Sequence, residues 1–208
     1  MFLYASCKIY TQLPLYIVTF TPFLIKQLRV LLIYQNQRIH INHVKQLKGE
    51  TTMQKIIPCL WFDGKVEEAL KFYTSLFKNS KIKNISHYGE GHPQPGTIMV
   101  ATFELAGQEF MILNGGPMFK LTEAISLSIS CETQEEVDFY WEKLSADGGQ
   151  ESQCGWLKDK YGLSWQIVPT ALGRFLRDTD KKRVSNVMTA LMQMGKLDIQ
   201  KLEEAYNQ

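Results

Sequence analysis

Residues 154–169, with the sequence CGWLKDKYGLSWQIVP, predict two short strands joined by a charged turn. The strands cover residues 154–157 and 163–168, and Gly162 supplies the backbone freedom that a tight reversal requires. Pro169 ends the second strand because it has no N–H group to donate to a neighbouring strand. The fold follows from this hairpin, because an earlier part of the chain has a similar strand.

The second strand of this hairpin carries a polar residue between large apolar ones. Alternation places two sets of side chains on opposite faces: Leu163, Trp165 and Ile167 on one, and Ser164, Gln166 and Val168 on the other. Gln166 therefore needs an explanation, and we predict that it faces a cavity.

Two halves of the chain follow the same pattern. Residues 68–73 (EALKFY) match residues 135–140 (EEVDFY), and residues 107–113 (GQEFMIL) match residues 162–168 (GLSWQIV). This is a duplicated unit of one strand, one helix and further strands, about 55–65 residues long. One such unit is too small to bury its own sheet, so we expect two to pack together or to curl into a shared open barrel with a cavity.

Local signals place the elements of each unit. An apolar run at 56–62 predicts a strand, and Asp63 is the expected N-cap of the helix that follows. Ala106 and Gly107 predict a hairpin turn, and residues 133–136 (TQEE) form a capping box that opens the second helix. The tail predicts a helix over 181–194 and a second, shorter one, which either cap the barrel or contact a second subunit.

Charge is distributed unevenly along the chain. The 208 residues carry a net charge of +2, but residues 1–52 hold six basic and one acidic residue, and residues 53–208 hold 17 basic and 20 acidic ones. The acidic body argues against nucleic acid as a partner, because phosphate binding needs a concentrated basic surface. Four widely spaced cysteines without a CxxC pair indicate free thiols in a reducing, cytoplasmic compartment.

The first 52 residues form an atypical extension with two interpretations. The apolar run at 13–25 is interrupted by Pro14 and Pro22 and is too short to span a bilayer, while residues 25–44 resemble a membrane-surface helix. The alternative, which we favour, is that residues 48–50 (KGE) reflect a ribosome-binding sequence and that Met53 is the natural start. We therefore expect no membrane partner.

Together with the repeat, residues 60–64 (LWFDG), 131–138 (CETQEEVD) and the opening hairpin are similar to one known family. The chain resembles the PhnB-like branch of the vicinal oxygen chelate (glyoxalase/bleomycin-resistance) superfamily, commonly labelled 3-demethylubiquinone-9 3-methyltransferase. The resemblance covers residues 54–206 and implies an α+β fold of two βαβββ modules that form a U-shaped barrel sheet, usually in a homodimer. We expect modules at 54–118 and 121–170, within a domain at 53–170, and a helical tail at 171–208.

The resemblance also implies a divalent metal held by side chains on the first and last strands of each module. The corresponding positions are Pro58 (or Cys59), Met111, Ile125 (or Ser126) and Gln166. Only the last has a competent ligand atom, so we expect neither a metal nor another cofactor. The methyltransferase label has no support in a glycine-rich strand-to-helix turn, since residues 114–117 (NGGP) lead to another strand.

These observations favour a protein that binds a small aromatic or quinone-like molecule without a metal. The alternatives are a methyltransferase, as the family label states, or a lyase or dioxygenase of the superfamily. Cys131 and Cys154 are candidate nucleophiles, but inert buried thiols are the favoured interpretation. The expected ligand-binding residues are Trp61, Phe103, Asn114, Trp156, Trp165 and Gln166, with the barrel core as the alternative for each aromatic residue.

Overall fold

A computed structural model describes residues 54–208, so the predictions for the N-terminal extension lie outside the described residues. The first module contains β1 (Cys59–Phe62), α1 (Val66–Leu76), β2 (Lys81–His87), β3 (Ile98–Leu105) and β4 (Gln108–Asn114). The second contains β5 (Ser126–Cys131), α2 (Gln134–Ser145), β6 (Gln150–Glu151), β7 (Trp156–Lys158) and β8 (Ser164–Pro169). A tail follows with α3 (Thr170–Phe175), α4 (Lys181–Leu191) and α5 (Ile199–Tyr206).

The two modules have the same topology, as the sequence repeat predicts. The first sheet has the strand order β1-β4-β3-β2, and the second has the equivalent order β5-β8-β7-β6. In each module the first and last strands are parallel neighbours, which places Cys59 beside Met111 and Ser128 beside Gln166. The α+β fold of two βαβββ modules is confirmed. Within residues 54–208 the strands form two separate four-stranded sheets, not a closed barrel.

Helix boundaries show one incorrect prediction and one confirmed one. Asp63 does not cap α1, because the N-cap is Lys65 in a left-handed conformation (φ 53°) and no side chain accepts a hydrogen bond there. The turn that begins at Asp63 and Gly64 thus includes Lys65, and the helix begins later than the sequence predicts. At α2, Thr133 accepts a hydrogen bond from the Glu136 N–H, as the capping box predicts. The Glu136 carboxylate in turn accepts from the Glu132 N–H at 2.7 Å.

The two modules share one hydrophobic core, which lies on the helix side of both sheets. The apolar face of α1 packs on the first sheet, and α1 also reaches the second module. The rings of Tyr73 and Phe77 contact the Trp165 ring at centroid distances of 5.8 and 5.9 Å, and Phe77 stacks on Tyr140 of α2 at 5.1 Å. The opposite faces of both sheets, which we call the outer faces, therefore point away from the shared core.

A buried carboxylate joins the two modules at this core. Asp159, only 3% exposed, accepts hydrogen bonds from the Tyr73 hydroxyl at 2.7 Å and the Trp165 indole N–H at 2.8 Å. It also accepts from the backbone N–H groups of Tyr161 and Leu163 at 2.9 and 3.1 Å. Burial raises the pKa of the Asp159 carboxyl, and these donors oppose the rise because they stabilise the charged form.

The tail packs against the second module of its own chain. The Gln134 side chain at the start of α2 donates to the Leu197 carbonyl and accepts from the Ile199 N–H, at 3.1 and 2.9 Å. Lys196 pairs with Asp138 of α2 at 2.7 Å, and the Cys154 N–H donates to the Met194 carbonyl at 2.7 Å. Within the described part of the chain, no helix has the length and apolar character needed to cross a membrane.

Loss of the Asp159 carboxylate is expected to be strongly destabilising. Asp159→Ala leaves four donors unsatisfied in the core and should lower the free energy of unfolding by about 3–5 kcal/mol. Tyr73→Phe removes one bond to a charged acceptor and should cost about 2 kcal/mol. Urea unfolding measures both. Asp63→Ala is the control and should cause no measurable change, because Asp63 is exposed and caps nothing. Equal stability of Asp159→Ala and wild type would contradict this role.

Candidate functional site

The outer face of the second sheet carries a cluster of uncharged polar side chains. Trp156, Gln166 and Ser128 lie side by side across β7, β8 and β5, and Ser126 lies beside Ser164. Serines at alternate positions of β5 (126, 128 and 130) make one face of this strand polar. The alternation of serines is visible in the sequence and marks the polar face of β5. Only one of them, Ser126, was among the positions expected from sequence, as an alternative metal ligand.

Gln166 is buried in this cluster with half of its amide unpaired. Its side chain is 3% exposed, and its Nε2 donates to the Ser126 hydroxyl at 2.8 Å. Among residues 54–208, its Oε1 has no hydrogen-bond partner, and neither does the buried hydroxyl of Ser164. An unsatisfied buried polar atom costs about 1–3 kcal/mol, so such atoms persist mainly where they serve another purpose.

The outer face of the first sheet is more apolar and only half-buried. Its central residues are Trp61 on β1, Val100 and Thr102 on β3, and Met111 and Leu113 on β4. Cys59, beside Met111, is exposed.

The loop after β4 fixes the ring of Trp61. The indole N–H donates to the Gly116 carbonyl at 2.8 Å, and the Phe119 ring meets the indole edge-on at 4.9 Å. A Cβ atom on Gly115 would lie 2.3 Å from the Trp61 ring, so only glycine permits this contact. Trp61 is therefore presented on the outer face in a fixed orientation.

The structure brings together only some of the residues expected from sequence. Trp156 and Gln166 are neighbours on the second outer face, and Trp61 lies on the first. Phe103 and Trp165 occupy the helix-facing side, where they are 0% and 2% exposed within the shared core. These two side chains are core residues, the alternative that the sequence left open, because their rings point towards α1 and not towards an outer face.

Asn114 lies elsewhere and uses both ends of its amide in the fold. Its Oδ1 accepts from the Gly64 N–H at 2.9 Å, and its Nδ2 donates to the Ile98 carbonyl at 3.2 Å. It borders a groove of about 900 Å³ between the start of α1 and β2, which Lys65 and His87 also line. Gln166 is not among the residues that line this groove.

The residues at the implied metal positions do not fit a divalent cation. Cys59 lies beside Met111, and the strand register makes Ser128, not Ile125 or Ser126, the corresponding residue beside Gln166. The available donors are therefore a thiol, a thioether, a hydroxyl and an amide. Hard divalent cations prefer carboxylates, and other divalent metals in proteins commonly require imidazole or thiolate ligands. Across residues 54–208, no group of three or more His, Cys, Asp or Glu side chains is arranged to hold a metal.

The three described cysteines are free thiols in different environments. Burial raises the pKa of Cys131 to about 12, with a smaller contribution from Glu136, and burial also raises the pKa of Cys154. Both thiols therefore stay protonated near neutral pH, which favours the inert interpretation over a nucleophilic role.

Alkylation tests this assignment directly. Cys131 and Cys154 should resist iodoacetamide at pH 7.5 and react only after unfolding in urea. Peptide mass spectrometry of native and unfolded samples separates the sites. Rapid native labelling of Cys131 would show that the nucleophile interpretation deserves preference.

Replacement of Gln166 should not destabilise the fold. Gln166→Met conserves volume, removes the unpaired oxygen and introduces the residue that the first module has at the equivalent position, Met111. We expect its free energy of unfolding to equal or exceed that of wild type. Urea titration measures this, with Asp159→Ala as the destabilised reference. A loss above about 2 kcal/mol would identify Gln166 as a structural residue.

Comparison with known proteins places the chain in a family. The family model described as 3-demethylubiquinone-9 3-methyltransferase matches residues 54–168. A solved structure described as a putative 3-demethylubiquinone-9 3-methyltransferase, PhnB protein, from Bacillus cereus is 45% identical. The match covers 56% of this chain and 100% of that chain, with a TM-score of 0.53.

More distant structures are also similar. A protein from Pseudomonas aeruginosa is 20% identical over 56% of this chain and 98% of its own, with a TM-score of 0.47. The fosfomycin resistance protein FosX from Listeria monocytogenes, solved with Mn(II) and a sulfate ion, is 17% identical over 61% of this chain and 98% of its own, with a TM-score of 0.43. No curated protein matches the chain. Because the family model covers more than half of the 208 residues, this protein belongs to the 3-demethylubiquinone-9 3-methyltransferase family.

Proposed function

We propose that this protein binds a small aromatic molecule, without a metal, in a cavity between the outer faces of two copies of the chain. The proposal rests on two buried polar atoms of the second outer face that lack a hydrogen-bond partner within residues 54–208, namely Gln166 Oε1 and Ser164 Oγ. Small-molecule sites combine apolar walls with a few such polar groups.

The direction of the outer faces supports the pairing of two copies. Each chain turns the helix sides of its sheets inward, so neither outer face is covered by the other sheet of the same chain. Half-buried Trp61, Val100, Met111 and Leu113 form an apolar surface on the first sheet. Contiguous apolar surfaces of this kind mark interaction sites. In the proposed two-fold pairing, the first sheet of one copy lies opposite the second sheet of its partner.

The linker between the modules adds to this apolar surface. Met118 and Phe119 are 76% and 58% exposed, and Phe119 contacts Trp61. Covering large apolar side chains that are this exposed lowers the free energy of the assembly. The linker therefore supports a homodimer in which it lies at the edge of the proposed cavity.

The methyltransferase alternative has no residue constellation to support it. Gly115 and Gly116 follow β4 and lead to β5, with no helix between these strands. The phosphate-binding turn of a Rossmann-type cofactor site needs a helix N-terminus at that point. The family name thus does not by itself assign transfer of a methyl group. The free thiols of Cys59, Cys131 and Cys154 support the expectation of a cytoplasmic protein.

Light scattering coupled to size-exclusion chromatography tests the pairing. The full chain should elute with the mass of a dimer, and Leu113→Arg should shift it to a monomer, because the new charge lies in the centre of the apolar outer face. Ile85→Arg, on the exposed edge strand β2, is the control and should remain dimeric. Circular dichroism confirms that the variants are folded. A monomeric wild type at 100 µM would refute the shared cavity.

Native mass spectrometry of freshly purified protein tests the ligand. We expect the dimer to carry additional mass that is released on denaturation and that contains an aromatic ring. S-adenosylmethionine as the released molecule would instead support the methyltransferase alternative.

A further inference from the structure

We infer that the ligand is an uncharged aromatic molecule whose hydroxyl or N–H group donates a hydrogen bond to Gln166 Oε1. This inference rests on the proposed function and specifies the chemical class of the ligand. It separates phenol-like molecules from two other classes, namely anionic ligands such as carboxylates or phosphonates, and ring compounds that only accept hydrogen bonds, such as quinones and aryl ethers.

Among the described residues, none with an unpaired charge lies at the centre of the site. The polar side chains beside Gln166 are hydroxyls, those of Ser126, Ser128 and Ser164. The charged residue at this end of β7, Lys158, is already paired with Glu123 of the linker. An anion buried here would leave water without gaining a free cation, which is unfavourable.

Within the part of the chain that the structure describes, the first outer face offers no free cation at its centre either. Lys83, at its margin, pairs with Glu109 at 2.9 Å and lies close to Glu104. This corner therefore carries an excess of negative charge and disfavours an anionic ligand. The centre, formed by Met111, Leu113 and Trp61, suits the body of an uncharged ring.

The polarity of the unpaired atom defines the ligand's polar group. Gln166 Nε2 is engaged by Ser126, so the amide presents an acceptor, Oε1, and lacks a donor. A ligand that carries a hydroxyl or N–H group supplies this donor, whereas a quinone or an aryl ether presents only acceptors. The neighbouring Ser164 hydroxyl is unpaired as well and is able to accept or donate to the same group.

Binding requires a local opening around Gln166. In the single chain Gln166 Oε1 exposes almost no surface, so the ligand reaches it when neighbouring side chains on the outer face move aside. The hydrogen bond from Nε2 to Ser126 stays intact and holds the amide in place, so a donor on the ligand satisfies the unpaired oxygen. The Gln166 side-chain amide is therefore a direct reporter of binding.

A matched set of three probes tests the inference on the full-length protein. 4-Methylphenol carries a donor, 4-methylanisole only an acceptor, and 4-methylbenzoate a charge, while the ring and its methyl group are the same. Titrations followed by ¹H–¹⁵N NMR should show that 4-methylphenol binds about ten-fold or more tightly than either of the other two. They should also show a shift of the Gln166 side-chain amide signal.

Two variants localise the effect. Gln166→Met should abolish the preference for 4-methylphenol over 4-methylanisole, and Ile85→Arg, on the exposed edge strand β2, should retain it. If Gln166→Met does not fold, the wild-type amide signal still decides the question. An equal or stronger affinity for 4-methylanisole or 4-methylbenzoate, or a preference that survives in Gln166→Met, would overturn the inference while leaving the proposed cavity intact. Absence of binding by all three probes, with no co-purified aromatic molecule, would overturn both.

Discussion

The carboxylate of Asp159 is the interaction on which the arrangement of the two modules depends. It lies in the β7–β8 turn of the second module and accepts a hydrogen bond from Tyr73 of the first, so it joins the modules at their helix sides. A buried carboxylate without a cation is tolerated because four donors surround it. Since this contact turns the helices inward, both outer faces point away from the shared core.

Much of each module was predictable from local signals, because those signals are short-range. The Ala106–Gly107 turn has positive φ at both residues (46° and 84°), which suits a two-residue hairpin, and Thr133 caps α2 as its sequence predicts. Alternation along β8 correctly separated Gln166 from Trp165. Alternation does not reveal which face meets the helices, however. For that reason Phe103 and Trp165 were expected beside Trp61, although they belong to the core between the modules.

Turn geometry was harder to predict, because left-handed residues other than glycine leave little trace in the sequence. Lys65 (φ 53°) delays the start of α1, and Cys154 (φ 59°) delays the start of β7 to Trp156. At Cys154 the tail contributes, since the Cys154 and Gly155 N–H groups donate to the carbonyls of Met194 and Gly195. A segment about 40 residues away thus fixes where the strand begins, and hairpin signals within residues 154–169 contain no information about it.

Because the duplicated modules have diverged in sequence, the two walls of the proposed cavity differ in polarity. Equivalent positions carry Cys59 and Met111 in the first module but Ser128 and Gln166 in the second, so one wall is apolar and the other forms hydrogen bonds. Two identical modules would present a ligand with two equivalent orientations. With one wall of each kind, a ring that has a single donor gains its hydrogen bond in only one orientation. The unpaired oxygen of the Gln166 amide, which is unfavourable in the isolated chain, is then the feature that selects that orientation.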